Sequence, residues 1–236
     1  MSSVVIFPFT MLEFRFADQQ FFALPSGGLW LPESKTLVVA DLHLGKGQSF
    51  ARQGNLLPPY DDRATLLQLT SDIGQYQPER VWLLGDSFHR SDSPETVEED
   101  VWEQIQQLAS GREWVWLTGN HDAKSFEASS KSFPGKVRPE LEESRIRYTH
   151  EPLPHESPNV FGHYHPKVRV QLRGRRLSGK CFLLSAQRLL CPAYGAYAGG
   201  LWWPEEPLND YFEMPRFFLC HKHQVTEIRE QSVIRA

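Results

Sequence analysis

The amino-acid sequence predicts an α/β fold with two β-sheets. Two features carry this prediction: short apolar segments that alternate with helical patterns in the first half, and a second half rich in short strand patterns. Alternation of strands and helices is typical of an α/β core. The later strands, which have no long helix between them, predict a second sheet packed on the first.

The predicted strands of the first half share one pattern. A short run of β-branched, aromatic or aliphatic residues, four or five in the first three segments and two in the last, is followed by a small residue and then by polar side chains, as is typical of buried strands that end at a loop. The segments are TLVVADLH (Thr36–His43), VWLLGDSFH (Val81–His89), WVWLTGNHD (Trp114–Asp122) and NVFGHYH (Asn159–His165).

Helices are predicted in two segments between these strands. Segment 58–77 carries apolar residues at Leu66, Leu67, Leu69 and Ile73. In segment 93–111, Ser93 is the predicted cap, Pro94 occupies the first turn, and the helix ends before Gly111.

The chain beyond Pro166 is predicted to be β-rich. No repeat or linker separates the two halves, so we predict one domain over residues 1–236, with the strand-end motifs in 41–165 and the β-rich part in 166–236. The strand patterns of the second part are KVRVQLRGRRL with a turn at Gly174, KCFLL, RLLCP, RFFLC and HQVTEI.

Composition excludes several classes of protein. The 236 residues are 40% apolar and 23% charged, with a formal net charge of −4, which gives no electrostatic argument for non-specific nucleic-acid binding but leaves a local basic patch open. No apolar run approaches the ~20 residues of a membrane span. VVIFPFTML (Val4–Leu12) contains proline and lacks a preceding basic region, which favours a strand or an arm over a signal peptide. Three cysteines without C-x-x-C spacing favour a reducing compartment. We therefore predict a cytoplasmic protein without membrane association.

Polar residues follow four of the predicted strands. In α/β sheets, ligands bind beyond the carboxyl ends of the strands, where the loops converge. His163 and His165 are two residues apart, and in an extended chain such residues point to the same face. A single Asp or Asn after a strand is usually a turn former or a helix cap, but four such strand ends together predict a metal centre. Its candidates are Asp41, His43, Asp86, Asn120, His163 and His165.

The types of these residues indicate which ions they would bind. Carboxylate, imidazole and amide groups suit Mn²⁺ or Fe²⁺, and the absence of cysteine argues against a structural zinc. A carboxylate can bridge two cations, and Asp86 is the predicted bridge. Two ions ~3.5–4 Å apart stabilise the attacking and leaving oxygens of a phosphoryl displacement. We predict two divalent ions, first of all Mn²⁺, with Fe²⁺ and Zn²⁺ as alternatives. Glycines at positions 85, 119 and 162 would let the backbone turn beside them.

The motifs D-x-H, G-D, G-N-H-D and G-H-x-H, in this order, resemble those of the calcineurin-like metallophosphoesterases. Further segments resemble the bacterial DNA-ligase-associated metallophosphoesterases from about Leu29 to Gly200: LWLPESKTLVVADLHLGKGQSF, GDSFHR, GNHD, HEP and CPAYGAYAGG. The resemblance implies a four-layer αββα sandwich with two mixed β-sheets. GDSFH departs from the broader family, because His89 replaces a second acid. It is similar there to the nuclease subunit of the double-strand-break repair complex, whose capping domain a chain of this length lacks.

The resemblance also implies catalytic roles for His121, Asp86 and His89. His121 would act as a general acid at the leaving oxygen or hold the scissile phosphate, a metal-bridging hydroxide would attack, and His89 would hydrogen-bond His121 or contact nucleic acid. The family's further histidine is assigned to His150, which follows the strand pattern SRIRYT, in preference to His155 beside a proline. The expected ligands are Asp41, His43, Asp86 and His165 for one ion, and Asp86, Asn120, His150 and His163 for the other.

Basic residues near the first motif suit phosphate binding. Lys46 and Arg52 are the candidates, with Arg90 as a further one, although a solvated loop charge explains Arg52 equally well. For RGRRL (Arg173–Leu177), exposed hairpin charge is a better interpretation than DNA contact. For CHKH (Cys220–His223), alternate residues of an ordinary strand are a better interpretation than another metal site.

Together these features predict a metal-dependent phosphodiesterase that cleaves DNA, with a role in DNA repair and with a DNA ligase and other repair proteins as partners. The substrate follows from the resemblance, whereas the two-metal hydrolytic site follows from the residues. The alternatives are a small-molecule phosphodiesterase or phosphomonoesterase, acting for example on cyclic nucleotides, and a binding scaffold without catalysis. The scaffold is disfavoured because every motif position is filled.

Overall fold

The computed structural model describes residues 10–47, 61–90, 92–120, 123–154, 157–172, 174–196 and 198–234. The predicted N-terminal strand or arm lies mostly outside these ranges. None of the helices within them combines the length and the hydrophobicity that a membrane-spanning segment requires.

The first sheet has seven strands, and their spatial order follows the chain. They are β1 (Leu12–Phe16), β2 (Gln19–Ala23), β3 (Leu29–Leu31), β4 (Thr36–Val39), β5 (Arg80–Leu84), β6 (Glu113–Leu117) and β7 (Lys136–Arg138). Strands β1 to β4 pair antiparallel, whereas β4 to β7 pair parallel. Strands β4, β5 and β6 are almost wholly buried, which explains why they are continuous apolar runs.

The second sheet is also mixed. It contains β8 (Leu141–Glu143), β9 (Ile146–Thr149), β10 (Asn159–Phe161), β12 (Arg175–Leu184), β13 (Arg188–Leu190), β14 (Arg216–His221) and β15 (Gln224–Ile228), and β11 (Lys167–Leu172) pairs with β12. Strand β10 is parallel to β9 and β13, and the other pairs are antiparallel.

Strand β12 merges two segments that the sequence predicts as separate strands. Its first six residues pair with β11, and its last four pair with β14. The change of partner occurs next to Gly179, where a Cβ would lie 3.1 Å from the carbonyl oxygen of Cys220. The close packing at this glycine lets one long strand belong to both the hairpin and the sheet.

The helices are α1 (Asp61–Tyr76), α2 (Ser93–Thr96), α3 (Glu99–Ala109), α4 (Ala123–Ala128) and α5 (Leu208–Tyr211), with a 3₁₀ turn at Glu230–Ser232. The single helix predicted in segment 93–111 is wrong, because buried Val97 is extended (φ −63°, ψ 128°) and separates α2 from α3. The Ser93 cap is also wrong: Ser93 lies inside the first turn, and its hydroxyl accepts a hydrogen bond from the Arg90 amide at 2.9 Å.

The layers stack around apolar clusters. Phe14 and Trp82 of the first sheet pack against Tyr148 and Phe182 of the second. Helices α1 and α3 cover the outer face of the first sheet, and the buried residues of α3 recur at helical spacing at Val101, Trp102, Ile105 and Leu108. Each such side chain contributes roughly 1.5–3 kcal/mol to folding.

The outer face of the second sheet is covered by β11, α5 and the loop that contains Trp203. The predicted αββα sandwich with two mixed sheets is therefore confirmed, and in its fourth layer α5 is a helix of only four residues.

The carboxyl ends of strands from both sheets meet at one edge of the sandwich. Beyond β4 and β5 the chain continues in parallel register, with the amide of Asp41 donating to Gly85 at 3.3 Å and the amide of His43 donating to Asp86 at 3.0 Å. From the second sheet, the amide of His163 donates to the Asp41 carboxylate at 3.0 Å. This edge is where the strand-end motifs come together.

Candidate metal centre

Two groups of potential metal ligands lie at this edge. Asp41, His43 and His165 form one group, and Asp86, His150 and His163 form the other. Within each group the ligand atoms all lie within 4.8 Å of one another, and within each group the Asp and one His are buried. These six residues are among the seven that the sequence predicts as ligands, and they divide into the two predicted sets.

In the Asp41 group, called here the first cluster, two imidazole nitrogens approach each other. Nε2 of His43 lies 3.1 Å from Nε2 of His165, and Nε2 of His165 lies 3.4 Å from Oδ1 of Asp41. Asp41 is fully buried, and its Oδ1 accepts no hydrogen bond from the described residues. A buried carboxylate oxygen without a hydrogen bond is costly, so this oxygen needs a positive partner.

In the Asp86 group, called here the second cluster, the contacts are similar. Nδ1 of His163 lies 3.0 Å from Nε2 of His150, which lies 3.3 Å from Oδ2 of Asp86. The other ring nitrogen of His150, Nδ1, lies 3.0 Å from the carbonyl oxygen of Leu84. This contact assigns the proton to Nδ1 and leaves Nε2 as the ligand atom, as is usual for metal-binding histidines.

The two clusters are adjacent. Nδ1 of His150 in the second cluster lies 3.7 Å from Oδ1 of Asp41 in the first. The carboxylate of Asp41 also accepts the backbone amide of His163. The clusters therefore share their charges and form one centre.

The backbone at this centre is strained. Asp41 (φ 54°), His43 (φ 52°), Asp86 (φ 45°), His163 (φ 76°) and His165 (φ 48°) all adopt left-handed conformations. Such conformations cost about 1–3 kcal/mol each for residues with a side chain and cluster at functional sites. The strain turns five side chains towards the same small volume, and a cation bound by them would offset part of the cost.

Electrostatics differ between the histidines. Burial lowers the pKa of His43 to about 4, so its imidazole is neutral and available as a ligand at neutral pH. Burial also acts to lower the pKa of His150, but the hydrogen bond to Asp86 and the charge of Asp41 outweigh it and raise this pKa to about 9. Asp41 and Asp86 thus favour a positive charge on His150. A cation bound in the cluster would supply that charge in place of the proton.

Asn120 joins the second cluster through a residue that sequence reasoning missed. Its side-chain amide donates a hydrogen bond to Oε1 of Glu151, and the same oxygen lies 3.9 Å from Nε2 of His163. Glu151 therefore holds the amide nitrogen of Asn120 and leaves the amide oxygen as the ligand atom. An acidic residue directly after His150 was the available signal.

The Glu151 contact leads to a prediction. Glu151→Gln is expected to lower the affinity of the second cluster for Mn²⁺ by about 10–100-fold, the usual effect of losing an outer partner of a metal ligand. Titration of the metal-free protein with Mn²⁺ would measure this, with Glu142→Gln on the edge strand β8 as the control. Equal Mn²⁺ affinity in both variants would contradict a positioning role for Glu151.

Gly85 packs directly against His150. It has φ +75°, and a Cβ there would lie 2.6 Å from the ring of His150. Gly174 has nearly the same φ, +77°, but no atom lies within 4 Å of its Cβ position. The two glycines therefore share a conformational requirement and differ in their surroundings.

This pair gives a controlled prediction. Alanine at either position is expected to cost about 1–2 kcal/mol of stability through its left-handed backbone. Only Gly85→Ala is expected also to displace His150 and to lower Mn²⁺ affinity. Thermal unfolding and metal titration of both variants would test this, and an unchanged Mn²⁺ affinity in Gly85→Ala would contradict the placement of His150.

Residues 193–196 pack beside the first cluster. The Tyr194 amide donates to the Ala40 carbonyl at 2.7 Å, and the Gly195 amide donates to the Asp41 carbonyl at 3.1 Å. A Cβ at Gly195 would lie 2.3 Å from the carbonyl oxygen of Leu42, so only glycine fits there. This close contact accounts for the glycine at position 195 of the CPAYGAYAGG motif.

Two further predicted residues lie beside the first cluster. The ring of His89 is half-buried, and its centroid lies 5.9 Å from that of the His43 ring. Lys46 is partly buried and close enough to His43 for its charge to act in lowering the pKa of that imidazole. Arg90 is exposed, with Nε 3.7 Å from Asp92.

The remaining predicted residues either lie outside the described ranges or belong to neither of the two clusters. His121, Arg52, His155 and Arg173 lie outside the described residues. Among the residues that are described, the CHKH segment belongs to neither potential metal group, and Arg175 and Arg176 of the hairpin are exposed.

The donor set fits divalent cations. Each cluster offers one carboxylate and two imidazoles, all converging, and the unsatisfied Asp41 oxygen lies among them. This is the ligand chemistry of borderline divalent ions. The sandwich and the centre at its edge together define a metal-dependent phosphoesterase.

Comparison with known proteins agrees. The family model of the calcineurin-like phosphoesterases matches residues 34–229, and the chain belongs to this family. The predicted family is thereby confirmed, and membership implies a metal-dependent hydrolase.

Solved structures give further similarities. The crystal structure of Pseudomonas putida nuclease MPE is 26% identical, covers 93% of this chain and 100% of its own, and superposes with a TM-score of 0.71. Yfce, a phosphoesterase from E. coli, is 14% identical, covers 70% of this chain and 83% of its own, and has a TM-score of 0.38. No curated protein matches the chain.

Proposed function

We propose that this protein is a phosphodiesterase that hydrolyses DNA with the help of two divalent cations, of which Mn²⁺ is the first candidate. The observation that carries the proposal is the pair of adjacent clusters, each with a buried carboxylate and two converging imidazoles. Asp41, His43 and His165 would hold one ion, and Asn120, His150 and His163 the other. Asp86 would contribute to both.

The ions, when bound, would supply positive charge at the phosphoester and lower the pKa of water. The protein contributes orientation. Nδ1 of His150 is held by the Leu84 carbonyl, and the amide of Asn120 is held by Glu151. The left-handed backbone of Asp41 and Asp86 aims both carboxylates before a substrate arrives, which is the preorganisation that catalysis by fixed charges requires.

We assign proton donation at the leaving oxygen to His121. It directly follows Asn120, so its side chain is expected to point away from that ligand. General acid catalysis contributes typically ~10²–10⁴-fold. Lys46, beside the first cluster, would bind a substrate phosphate, as would Arg52, and His89 would support His121 or the substrate.

Two features support DNA as the substrate. One is the similarity to a structure that is described as a nuclease. The other is a basic and aromatic surface that begins two residues after His165 and comprises Lys167, Arg169 and Trp202. Cζ of Arg169 lies 3.9 Å from the centroid of the Trp202 ring, and Nζ of Lys167 lies 5.7 Å from it.

This surface is suited to a phosphate backbone. In the described part of the chain, no carboxylate lies within ion-pair distance of Lys167 or Arg169, and both are only partly buried. Residues 167 and 169 alternate on β11 and therefore share one face of the strand. Basic groups without a carboxylate partner, close in sequence to a proposed hydrolytic centre, are typical of contacts that position a nucleic-acid backbone.

Arg169→Gln is therefore expected to weaken DNA binding and to reduce the slope of log affinity against log salt concentration by about 1, as loss of one phosphate contact does. Hydrolysis of bis-p-nitrophenyl phosphate should not change, because that substrate is too small to reach β11. Fluorescence anisotropy with labelled DNA at several salt concentrations would measure the effect.

Arg175→Gln is the matched control. Arg175 pairs with Leu172, on the opposite face of the hairpin from Arg169, and it is exposed. An equal loss in both variants would contradict a specific contact at Arg169. Faster hydrolysis of cyclic nucleotides or phosphomonoesters than of DNA by the unaltered protein would favour a small-molecule enzyme instead.

The remaining proposals concern the biological role, the partners and the domain organisation. The similarity to nuclease MPE is consistent with the DNA-ligase-associated metallophosphoesterases, so we place the enzyme in DNA repair in the cytoplasm, with a DNA ligase among its partners. We also propose a single domain over residues 1–236. Copurification of the full chain with a ligase and limited proteolysis would test these two points.

A further inference from the structure

A cavity of about 260 Å³ lies on helix α1, and its lining includes none of the predicted metal ligands. Its volume is just below the ~300–1,000 Å³ typical of ligand pockets, which suits a small molecule. Leu67, Gln68, Asp72 and Tyr76 of α1 line it at helical spacing, and Pro25 closes it from the first sheet's loops.

The cavity contains a carboxylate that is nine-tenths buried. Asp72 is 9% exposed, and its Oδ2 accepts hydrogen bonds from the hydroxyls of Ser26 at 2.6 Å and Tyr194 at 2.9 Å. The other oxygen, Oδ1, accepts no hydrogen bond from the described residues. Lys180 is partly buried and makes no ion pair with Asp72; its ammonium donates to the carbonyls of Ser26 at 2.6 Å and Ala193 at 3.2 Å.

Gln68 provides a second acceptor in the lining. Its amide nitrogen donates to the carbonyls of Ser26 and Tyr194, each at 3.2 Å. Both amide protons are thereby used, and the side-chain oxygen is left as an acceptor. Burial raises the pKa of Asp72, and a cation that reached Oδ1 would stabilise the charged carboxylate.

The walls around these acceptors are largely apolar. Leu67 is 70% exposed, and Pro25 and Tyr76 also line the cavity. Lys222 lines it too, but Lys222 is exposed, so water screens its charge more than that of buried Asp72, and a ligand with one positive charge is still attracted. The complementary ligand has one cationic head with several N–H donors and a short apolar stem.

We propose that this cavity binds a small organic monocation, a guanidinium or primary ammonium group on a short carbon chain. The head would donate to Oδ1 of Asp72 and to Gln68, and the stem would contact Leu67 and Pro25. The proposal does not rest on the phosphodiesterase activity. The same head group also occurs as an arginine or lysine side chain of another protein.

The cavity is connected to the metal centre by a short chain of hydrogen bonds. Gln68 donates to the Tyr194 carbonyl, the Tyr194 amide to the Ala40 carbonyl, and the Gly195 amide to the Asp41 carbonyl. A ligand that restrains Gln68 and Tyr194 would therefore also restrain Asp41. Ligand binding and Mn²⁺ binding are expected to change each other's affinity by the same factor, as linkage requires.

The direct test is binding of butylguanidinium to the metal-free full chain, with neutral butylurea as its isostere. NMR titration is expected to give a roughly millimolar Kd for the cation, as suits a ligand of this size, and at least about 10-fold weaker binding for butylurea. A blocked peptide with one arginine distinguishes the sources: tighter binding than butylguanidinium indicates a partner protein, and weaker binding a free small molecule.

Two variants make the test specific. Asp72→Asn should weaken butylguanidinium binding about 10-fold or more. Leu67→Lys should weaken it by charge repulsion without disturbing the fold, because Leu67 is mostly exposed. Gln107→Lys, which adds the same charge to an exposed position of α3, should have no effect.

Equal binding of the cation and butylurea, or no loss of binding in Leu67→Lys, would overturn the proposal. The second readout is Mn²⁺ affinity with and without saturating butylguanidinium. An unchanged Mn²⁺ affinity would overturn the coupling to Asp41. Because the first readout uses neither metal nor a phosphoester, failure of the proposed phosphodiesterase function would leave it interpretable.

Discussion

Asp86→Ala is expected to abolish phosphodiesterase activity, by at least about 10³-fold, and to lower metal content at both clusters. Loss of an outer partner of a ligand alone costs ~10–100-fold, and Asp86 is proposed to bind both ions directly. The residue is 2% exposed, and its Oδ2 lies 3.3 Å from Nε2 of His150. Metal analysis after dialysis, together with turnover of bis-p-nitrophenyl phosphate, measures both effects.

Two companion variants separate the causes. Asp86→Asn keeps the shape and removes the charge, so its metal content should also fall if the carboxylate is the bridge. Asp41→Ala removes a carboxylate from the first cluster only and should spare the ion at Asn120, His150 and His163. Retention of both ions with near-normal turnover in Asp86→Ala would exclude the bridging role.

His150→Ala is expected to have the second largest effect. The ring is buried, contacts the Leu84 carbonyl, and presents Nε2 to Asp86 and His163. Its removal takes a ligand from the second cluster and leaves a cavity. Turnover should therefore fall by more than ~100-fold, the largest loss usual when a residue that only hydrogen-bonds a metal ligand is replaced.

His155→Ala is the control for this variant, since the sequence leaves His155 as the competing histidine. It is expected to be mild. Turnover and Mn²⁺ affinity of the two variants, measured side by side, decide the assignment. A severe loss in His155→Ala with a mild loss in His150→Ala would transfer the ligand role to His155.

Much of the fold follows from the sequence because buried parallel strands have a distinctive pattern. The runs at β4, β5, β6 and β10 are continuous, apolar and short, and each ends in a polar motif. The sequence did not predict the break between α2 and α3 at Val97 or the continuity of β12. Both depend on packing between distant segments: Val97 is buried against the helical layer, and β12 changes partners midway.

The ligand residues of the candidate site were predictable from the sequence, but the contacts and backbone conformations that position them were not. Ligand types and strand-end positions indicate Asp41, His43 and the other cluster residues. The role of Glu151 depends on the distance of its carboxylate from Asn120 and His163, and the left-handed backbone of five site residues depends on the crossing of loops from two sheets. The position of Glu151 directly after His150 is a local signal of its role, but no local pattern encodes the left-handed backbone. The α1 cavity is likewise formed by segments far apart in sequence.

The most direct test of the central claim is the number of metal ions that activity requires. Metal-free protein should bind two equivalents of Mn²⁺, and cleavage of DNA should rise only as both sites fill. Calorimetric titration run in parallel with a DNA cleavage assay gives both quantities on the same preparation. Binding of two ions with cleavage that follows the second is the predicted result, and full cleavage in the presence of a chelator or with a single ion bound would contradict it.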